Sequence, residues 1–193
     1  MAMPARSADL AERFAELERV VEAQPEGVVA EIAVGVFHMT PRSGFGPLYA
    51  QTALIEIVRS FCRQDSGEWL TLAEPEIRSG DDATRVIPDL AVWRRSKGGW
   101  PDSTENPFST PPFWAAEVLS PTTEDFDRGP KMEAYALMGV AWVWLVDVKK
   151  RRVEVYENDG GRMAFRETRE AGDRLDAPPF EGVQSKVGEL LPP

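Results

Sequence analysis

Residues 113–119 read FWAAEVL, an almost wholly apolar run interrupted by one acid, Glu117. Seven residues are too few for an ordinary helix and suit a central strand covered on both faces of a sheet. A carboxylate in such a place is costly unless it is paired, hydrogen-bonded or bound to a cation. Residues 85–93, RVIPDLAVW, repeat the pattern, with Asp89 following Pro88 among Val86, Ile87, Leu90, Ala91, Val92 and Trp93. Two acids in successive strand-like runs call for a shared explanation.

Working outward, Leu10, Phe14, Leu17 and Val20 or Val21 lie at helical spacing, so a helix is expected over 8–24, stopped by Pro25 and Gly27. Residues 28–39 read as one strand, and 47–63 as a second helix with Leu48, Ala53, Leu54, Ile57, Val58 and Phe61 on its buried face. Strands are expected at 68–78 and 85–93, joined by a hairpin-like SGDDAT, followed by a long Gly- and Pro-rich loop. After 113–119 a helix is expected over 130–139, with Pro130 tolerated at its first position and Gly139 ending it. Three strand candidates, AWVWLVDV, RRVEVYE and RMAFRET, and a short Pro-bounded tail complete the chain. This order gives an α/β fold, a mixed β-sheet flanked by helices.

At 193 residues, with no break in composition, the expectation is one domain spanning 1–193. No run reaches the roughly 18 apolar residues of a membrane span. The first residues show neither a hydrophobic signal core nor a cleavage-like site, so a cytoplasmic protein is expected. One cysteine, Cys62, excludes an internal disulfide and a multi-cysteine zinc site, and it reads as a small buried hydrophobe. One histidine, His38, excludes a two-histidine zinc motif and reads as a packed or strand-edge residue. A net charge of −10 argues against a broad phosphate-binding surface, although KKRR at 149–152 and RRSK at 94–97 form local basic clusters.

If the strands carrying Asp89 and Glu117 lie side by side, their carboxylates converge at one end of the sheet. Two carboxylates with waters and a substrate phosphate make up a typical Mg²⁺ coordination sphere. Lys131, at the start of the expected helix, can reach back to the same place and stabilise developing charge on a phosphate. The first turn of a helix is otherwise a poor position for a cation.

Pro88-Asp89, then Glu117-Val118-Leu119-Ser120-Pro121, then Lys131 with Tyr135 and Gly139, then Trp144-Leu145-Val146-Asp147 together resemble the Uma2 family, also called domain of unknown function 820. The similarity extends upstream to Glu31, Gly35 and Pro41 and covers about residues 28–157, leaving a C-terminal strand and tail over 158–193. The resemblance implies a restriction-endonuclease-like core of the PD-(D/E)-X-K type and an endonuclease hydrolysing DNA with Mg²⁺ or Mn²⁺. It implies Asp89 and Glu117 as metal ligands, the Val118 carbonyl as a third, Glu31 as an outer or second-metal acid and Lys131 as the catalytic lysine. Leu119 stands where the wider superfamily's motif has its lysine, and the family moves that lysine to the following helix. Trp142 and Val34 replace acids common in relatives, and the helix over 47–63 lacks a frequent histidine. Tyr135, one turn after Lys131, reads as a support for the lysine or a packed aromatic. An inactive nucleic-acid-binding or protein-interaction module on the same fold is one alternative, and a purely structural role, with Asp89 and Glu117 as ion-pair partners of Lys131 and of Arg residues, is another. A homodimer suits an enzyme that must cut both strands.

Overall fold

The structure, a computed structural model, describes residues 5–193 apart from positions 26, 42 and 66, so the first four residues of the leader reading lie outside it. The chain runs α1 (Ala5–Glu22), β1 (Val28–Ala33), β2 (Val36–Pro41), α2 (Phe45–Cys62), β3 (Trp69–Ala73), β4 (Ile77–Ser79), β5 (Thr84–Val86) and β6 (Leu90–Arg94). It continues through β7 (Trp114–Leu119), α3 (Glu124–Phe126), α4 (Met132–Met138), β8 (Trp142–Asp147), β9 (Arg152–Asn158) and β10 (Met163–Glu170).

Every residue of β7 is buried, as the run at 113–119 requires. The strand lies inside a six-stranded sheet of order β10-β9-β8-β7-β6-β3, parallel to β8 and antiparallel to β6. Alternation along the strand sends Trp114, Ala116 and Val118 into one apolar layer with Ala50, Leu54, Val58 and Cys62 of α2. Ala115 and Leu119 enter the opposite layer, with Ala134 and Tyr135 of α4. Glu117 shares the parity of Ala115 and Leu119 and therefore faces α4. The expected α/β fold with helices on both faces is present.

A second, four-stranded sheet of order β2-β1-β5-β4 replaces the single sheet that the sequence suggests. Each of three expected strands is in fact two. The run at 28–39 turns back at Val34 and Gly35, both at positive φ (45° and 77°), and β1 pairs antiparallel with β2. Val34 is β-branched and a poor occupant of that region; its N–H donates to Thr84 Oγ1 (3.2 Å), and the Gly35 N–H to the Ala83 carbonyl (3.0 Å). The run at 68–78 breaks at Glu74 (φ 50°) and Pro75, so that β3 joins the large sheet and β4 the small one. The run at 85–93 breaks at residues 87–89, where Pro88 has no N–H to give to a ladder, and β5 and β6 also part company. The two links brace each other: the Glu74 N–H donates to the Asp89 carbonyl (3.3 Å). Asp89 thus stands in the crossing between sheets and not inside a strand.

The helix after β7 begins earlier than residue 130. It enters at Glu124, widens to a π turn over Asp127–Lys131, and continues to Met138, where Gly139 (φ 82°) ends it. Pro130 lies within it and cannot donate the usual helical hydrogen bond, a recognised cause of local rewinding. Lys131 therefore sits well inside the helix, and the expectation that it occupies a first turn is corrected.

Candidate active site

Three acids from three parts of the chain converge on one lysine. Lys131 Nζ lies 2.8 Å from Glu117 Oε1, 3.0 Å from Glu31 Oε1 and 3.6 Å from Asp127 Oδ1. It also donates to the Ile87 carbonyl at 3.3 Å. Glu31 comes from β1 of the small sheet and also accepts the Ile87 N–H (2.7 Å). Glu117 comes from the large sheet and accepts a short hydrogen bond from the Tyr135 hydroxyl. The π turn brings Asp127 and Lys131 to the same side, and Tyr135 follows one turn later. Such turns recur at functional sites.

Asp89 completes the group from the link between sheets. Its Oδ2 accepts the Val118 N–H at 2.6 Å. The β6–β7 ladder ends at Leu90↔Ala116, so Val118 has no strand neighbour on that side. Its N–H and carbonyl both turn toward the Asp89 side, as strand geometry dictates. Glu117 and Lys131 are each 2% exposed, whereas Asp89 is only half-buried in the wall of the cleft.

This cleft has a volume of about 570 Å³ and runs between the two sheets; its lining includes Glu31, Asp89, Glu117, Val118, Asp127 and Lys131. Glu74, Glu76 and Arg85 also line it, giving six carboxylates against two cations. Burial, with mutual repulsion added, raises several of these acids. Burial pushes the Asp89 carboxyl up to about 7, despite the opposing Val118 N–H and the Lys131 charge. Burial raises Glu117 well above the carboxylate range, with Asp127, Asp89 and Glu31 adding to the effect and Lys131 opposing it. Asp127 is raised, again chiefly by burial. For Lys131, burial works against the charge, but Glu117, Glu31, Tyr135 and Asp127 outweigh it and hold the ammonium protonated. The acids, not the lysine, carry the strain of the site.

Among the described residues, no three His, Cys, Asp or Glu side chains stand ready as a metal cluster. Glu117 and Glu31 are instead turned onto Lys131. The donor set nevertheless suits a hard divalent cation: its atoms are all oxygens, and its excess negative charge is what such an ion relieves. Asp89, Glu117 and the Val118 carbonyl would be the groups to hold such an ion, with Glu31 behind them.

Arg128, in the same π turn, fastens the helix to the sheet on its other side. It binds Glu154 (2.6 Å), Glu124 (2.9 Å) and Asp147 (3.4 Å). Glu154 also binds Arg152 (2.5 Å) and accepts from Tyr156 (2.9 Å). Burial disfavours the Glu154 charge, but Arg128, Tyr156 and Arg152 prevail and hold its carboxyl down at about 2. This network consumes part of the basic cluster at 149–152, since Lys150 also binds Asp147 (3.1 Å). In the other cluster, Arg94 binds Glu68 (2.8 Å). Lys149 and Arg151 of the first cluster are exposed and enter no ion pair among the described residues. His38 packs as a half-buried residue on edge strand β2, its ring 4.4 Å from that of Phe126, and Cys62 is buried.

Sequence reasoning missed two contributors. Asp127 precedes Lys131 by four residues, a spacing that makes an ion pair on a helix, but the helix was expected to start after it. Gln51 of α2 donates to Glu74 Oε1 (3.0 Å) and to the Asp89 carbonyl (3.2 Å), tying both sheet crossings to the helix.

A mixed sheet whose central strand presents a buried glutamate to a lysine from the next helix places the chain in the α/β class. Its fold matches a crystal structure from Anabaena variabilis of "a putative nuclease belonging to DUF820", with a TM-score of 0.71 and 19% identity. The match covers 90% of this chain and 96% of that one. The chain belongs to the Uma2 family, described as "Putative restriction endonuclease", whose profile matches residues 11–188. No curated protein matches the chain significantly. Among the described residues no helix is long and apolar enough to cross a membrane.

Proposed function

We infer that the chain hydrolyses DNA phosphodiester bonds as a Mg²⁺- or Mn²⁺-dependent endonuclease of one domain, acting at Asp89, Glu117 and Lys131. The observation that carries this reading is the convergence of Glu31, Glu117 and Asp127 on Lys131 in the floor of a cleft that Asp89 also lines. A bound divalent ion supplies Lewis acidity toward a phosphate oxygen and a lowered pKa for a coordinated water. Asp89 and Glu117 would hold it, with the Val118 carbonyl as a neutral oxygen, while Glu31 anchors Lys131 from behind. Lys131, kept protonated by its neighbours, places a fixed positive charge beside the phosphate, where negative charge grows during in-line displacement. Tyr135 fixes the Glu117 carboxylate by hydrogen bonding to one of its oxygens, leaving the other for binding.

The test is cleavage of supercoiled plasmid and of single-stranded DNA in Mg²⁺, Mn²⁺ and EDTA, by the wild type and by Glu117→Gln, with ion binding followed by calorimetry. Ion-dependent cleavage that falls at least about a hundredfold in the variant is expected. Equal cleavage by both proteins refutes the assignment of Glu117. Absence of ion binding together with absence of cleavage in every ion points to the inactive module instead.

A further inference from the structure

The mouth of the cleft carries a feature that the hydrolytic chemistry does not use. The first turn of α2 exposes Phe45 (74%), Leu48 (53%) and Tyr49 (39%), so Leu48 does not lie on the buried face expected of it. The Phe45 and Tyr49 rings lie 6.1 Å apart at 47° to each other, and Leu48 also lines the cleft. Isolated exposed apolar residues need no explanation, but three within one turn at the edge of a candidate site do.

Cations flank this turn. A Cβ built on Gly46 would lie 3.7 Å from Val148 Cγ1, so the start of α2 packs against the turn that follows β8. That turn carries Lys149 and Arg151, both exposed. It also lies at the end of the sheet that holds the site, because β8 runs parallel to β7 with Asp147 opposite Leu119, two residues beyond Glu117.

We propose that the cleft takes an unpaired DNA strand, with a base stacked on the Phe45–Tyr49 rim and the phosphates passing the Lys149–Arg151 turn toward Asp89 and Glu117. The proposal rests on the nuclease reading of the same cleft and names its substrate class. Three considerations select a single strand over a duplex. A duplex brings one negative charge per roughly 1.7 Å of length, twice that of one strand, to a cleft with six carboxylates and two cations. A floor where Glu117 and Lys131 are each 2% exposed is reached by a backbone that bends inward, which a stiff duplex resists. Exposed aromatic rings gain binding from free base faces, which a paired helix keeps stacked.

The experiment is fluorescence anisotropy of the full chain in Ca²⁺, with a labelled oligonucleotide free or annealed to its complement, alongside plasmid and strand cleavage in Mg²⁺. The free strand is expected to bind about tenfold or more tightly than the duplex. Phe45→Ala and Tyr49→Ala are each expected to weaken strand binding between about fivefold and about a hundredfold, with duplex binding and circular dichroism unchanged. Equal or tighter duplex binding overturns the proposal. So does strand binding unchanged in Phe45→Ala, and a dimer that this variant converts to monomer then assigns the rim to a second copy of the chain. Ion-dependent cleavage without strand preference removes this inference and leaves the nuclease reading standing. No cleavage in any ion removes both.

Discussion

Replacing Asp89 by Asn isolates the electrostatic penalty that the candidate site imposes on the fold. The Asp89 carboxyl is pushed up to about 7 from an ordinary value of 3.8. Between those values the folded chain binds a proton that the unfolded chain has released, so stability falls as pH rises. The contribution is complete below the unfolded value and is lost as pH passes through the folded one. About three pH units correspond to about 4 kcal/mol, an upper limit because half-buried Asp89 is partly reached by solvent from the cleft. Asn mimics the protonated acid at every pH, and its amide oxygen can still accept the Val118 N–H. In EDTA at pH 8, Asp89→Asn is therefore expected to be more stable than wild type by about 2 kcal/mol, or about 4–8 °C in Tm for a chain of this size. The two proteins should converge near pH 4. Denaturant titrations at several pH values between 4 and 8 measure the difference curve, in which groups common to both proteins largely cancel. A flat curve, or a variant less stable than wild type at pH 8, would falsify the account of Asp89 as a carboxylate held at the fold's expense.

The Arg128 network should respond in the opposite sense. Glu154, held down at about 2 against an ordinary 4.5, stabilises the fold above pH 4.5 and loses that contribution as pH falls toward 2. Glu154→Gln should then cost about 3 kcal/mol at neutral pH, read from chemical denaturation; a loss that persists undiminished at pH 2 would contradict it. At Gly188 an added Cβ would come within 2.9 Å of the Ala171 carbonyl oxygen, a backbone atom that cannot swing aside. Gly188→Ala should therefore destabilise by about 1–3 kcal/mol, and an unchanged melting temperature would show that the tail yields instead.

The difference between what the sequence disclosed and what it hid lies in the range of the interactions. Glu117 was legible because a single acid inside a wholly apolar run contradicts its surroundings, and strand parity then decides which face it occupies. Gly139 marked a helix end because a left-handed residue there favours glycine. The sheet crossings were not legible as crossings. Glu74-Pro75 and Pro88-Asp89 interrupt apolar runs too briefly to separate them by periodicity, and only the partner strands reveal that each run feeds two sheets. Val34 hid a turn in the same way, since a β-branched residue argues for continued strand. The helix start at Glu124 was masked by Pro130, which usually marks a first turn and here lies inside a widened one. Asp127 was lost with it.

The divided origin of the charge set has a consequence for how the chain comes to be active. Glu31 is delivered by the small sheet, Glu117 by the large one, Asp89 by the link between them and Lys131 by a helix that Arg128 clamps in place. No contiguous fragment of the chain shorter than residues 31–131 contains all four. On the proposed reading, activity is withheld from a nascent or partly unfolded chain until both sheets have docked, so that quality control of the fold and licensing of the enzyme are one event.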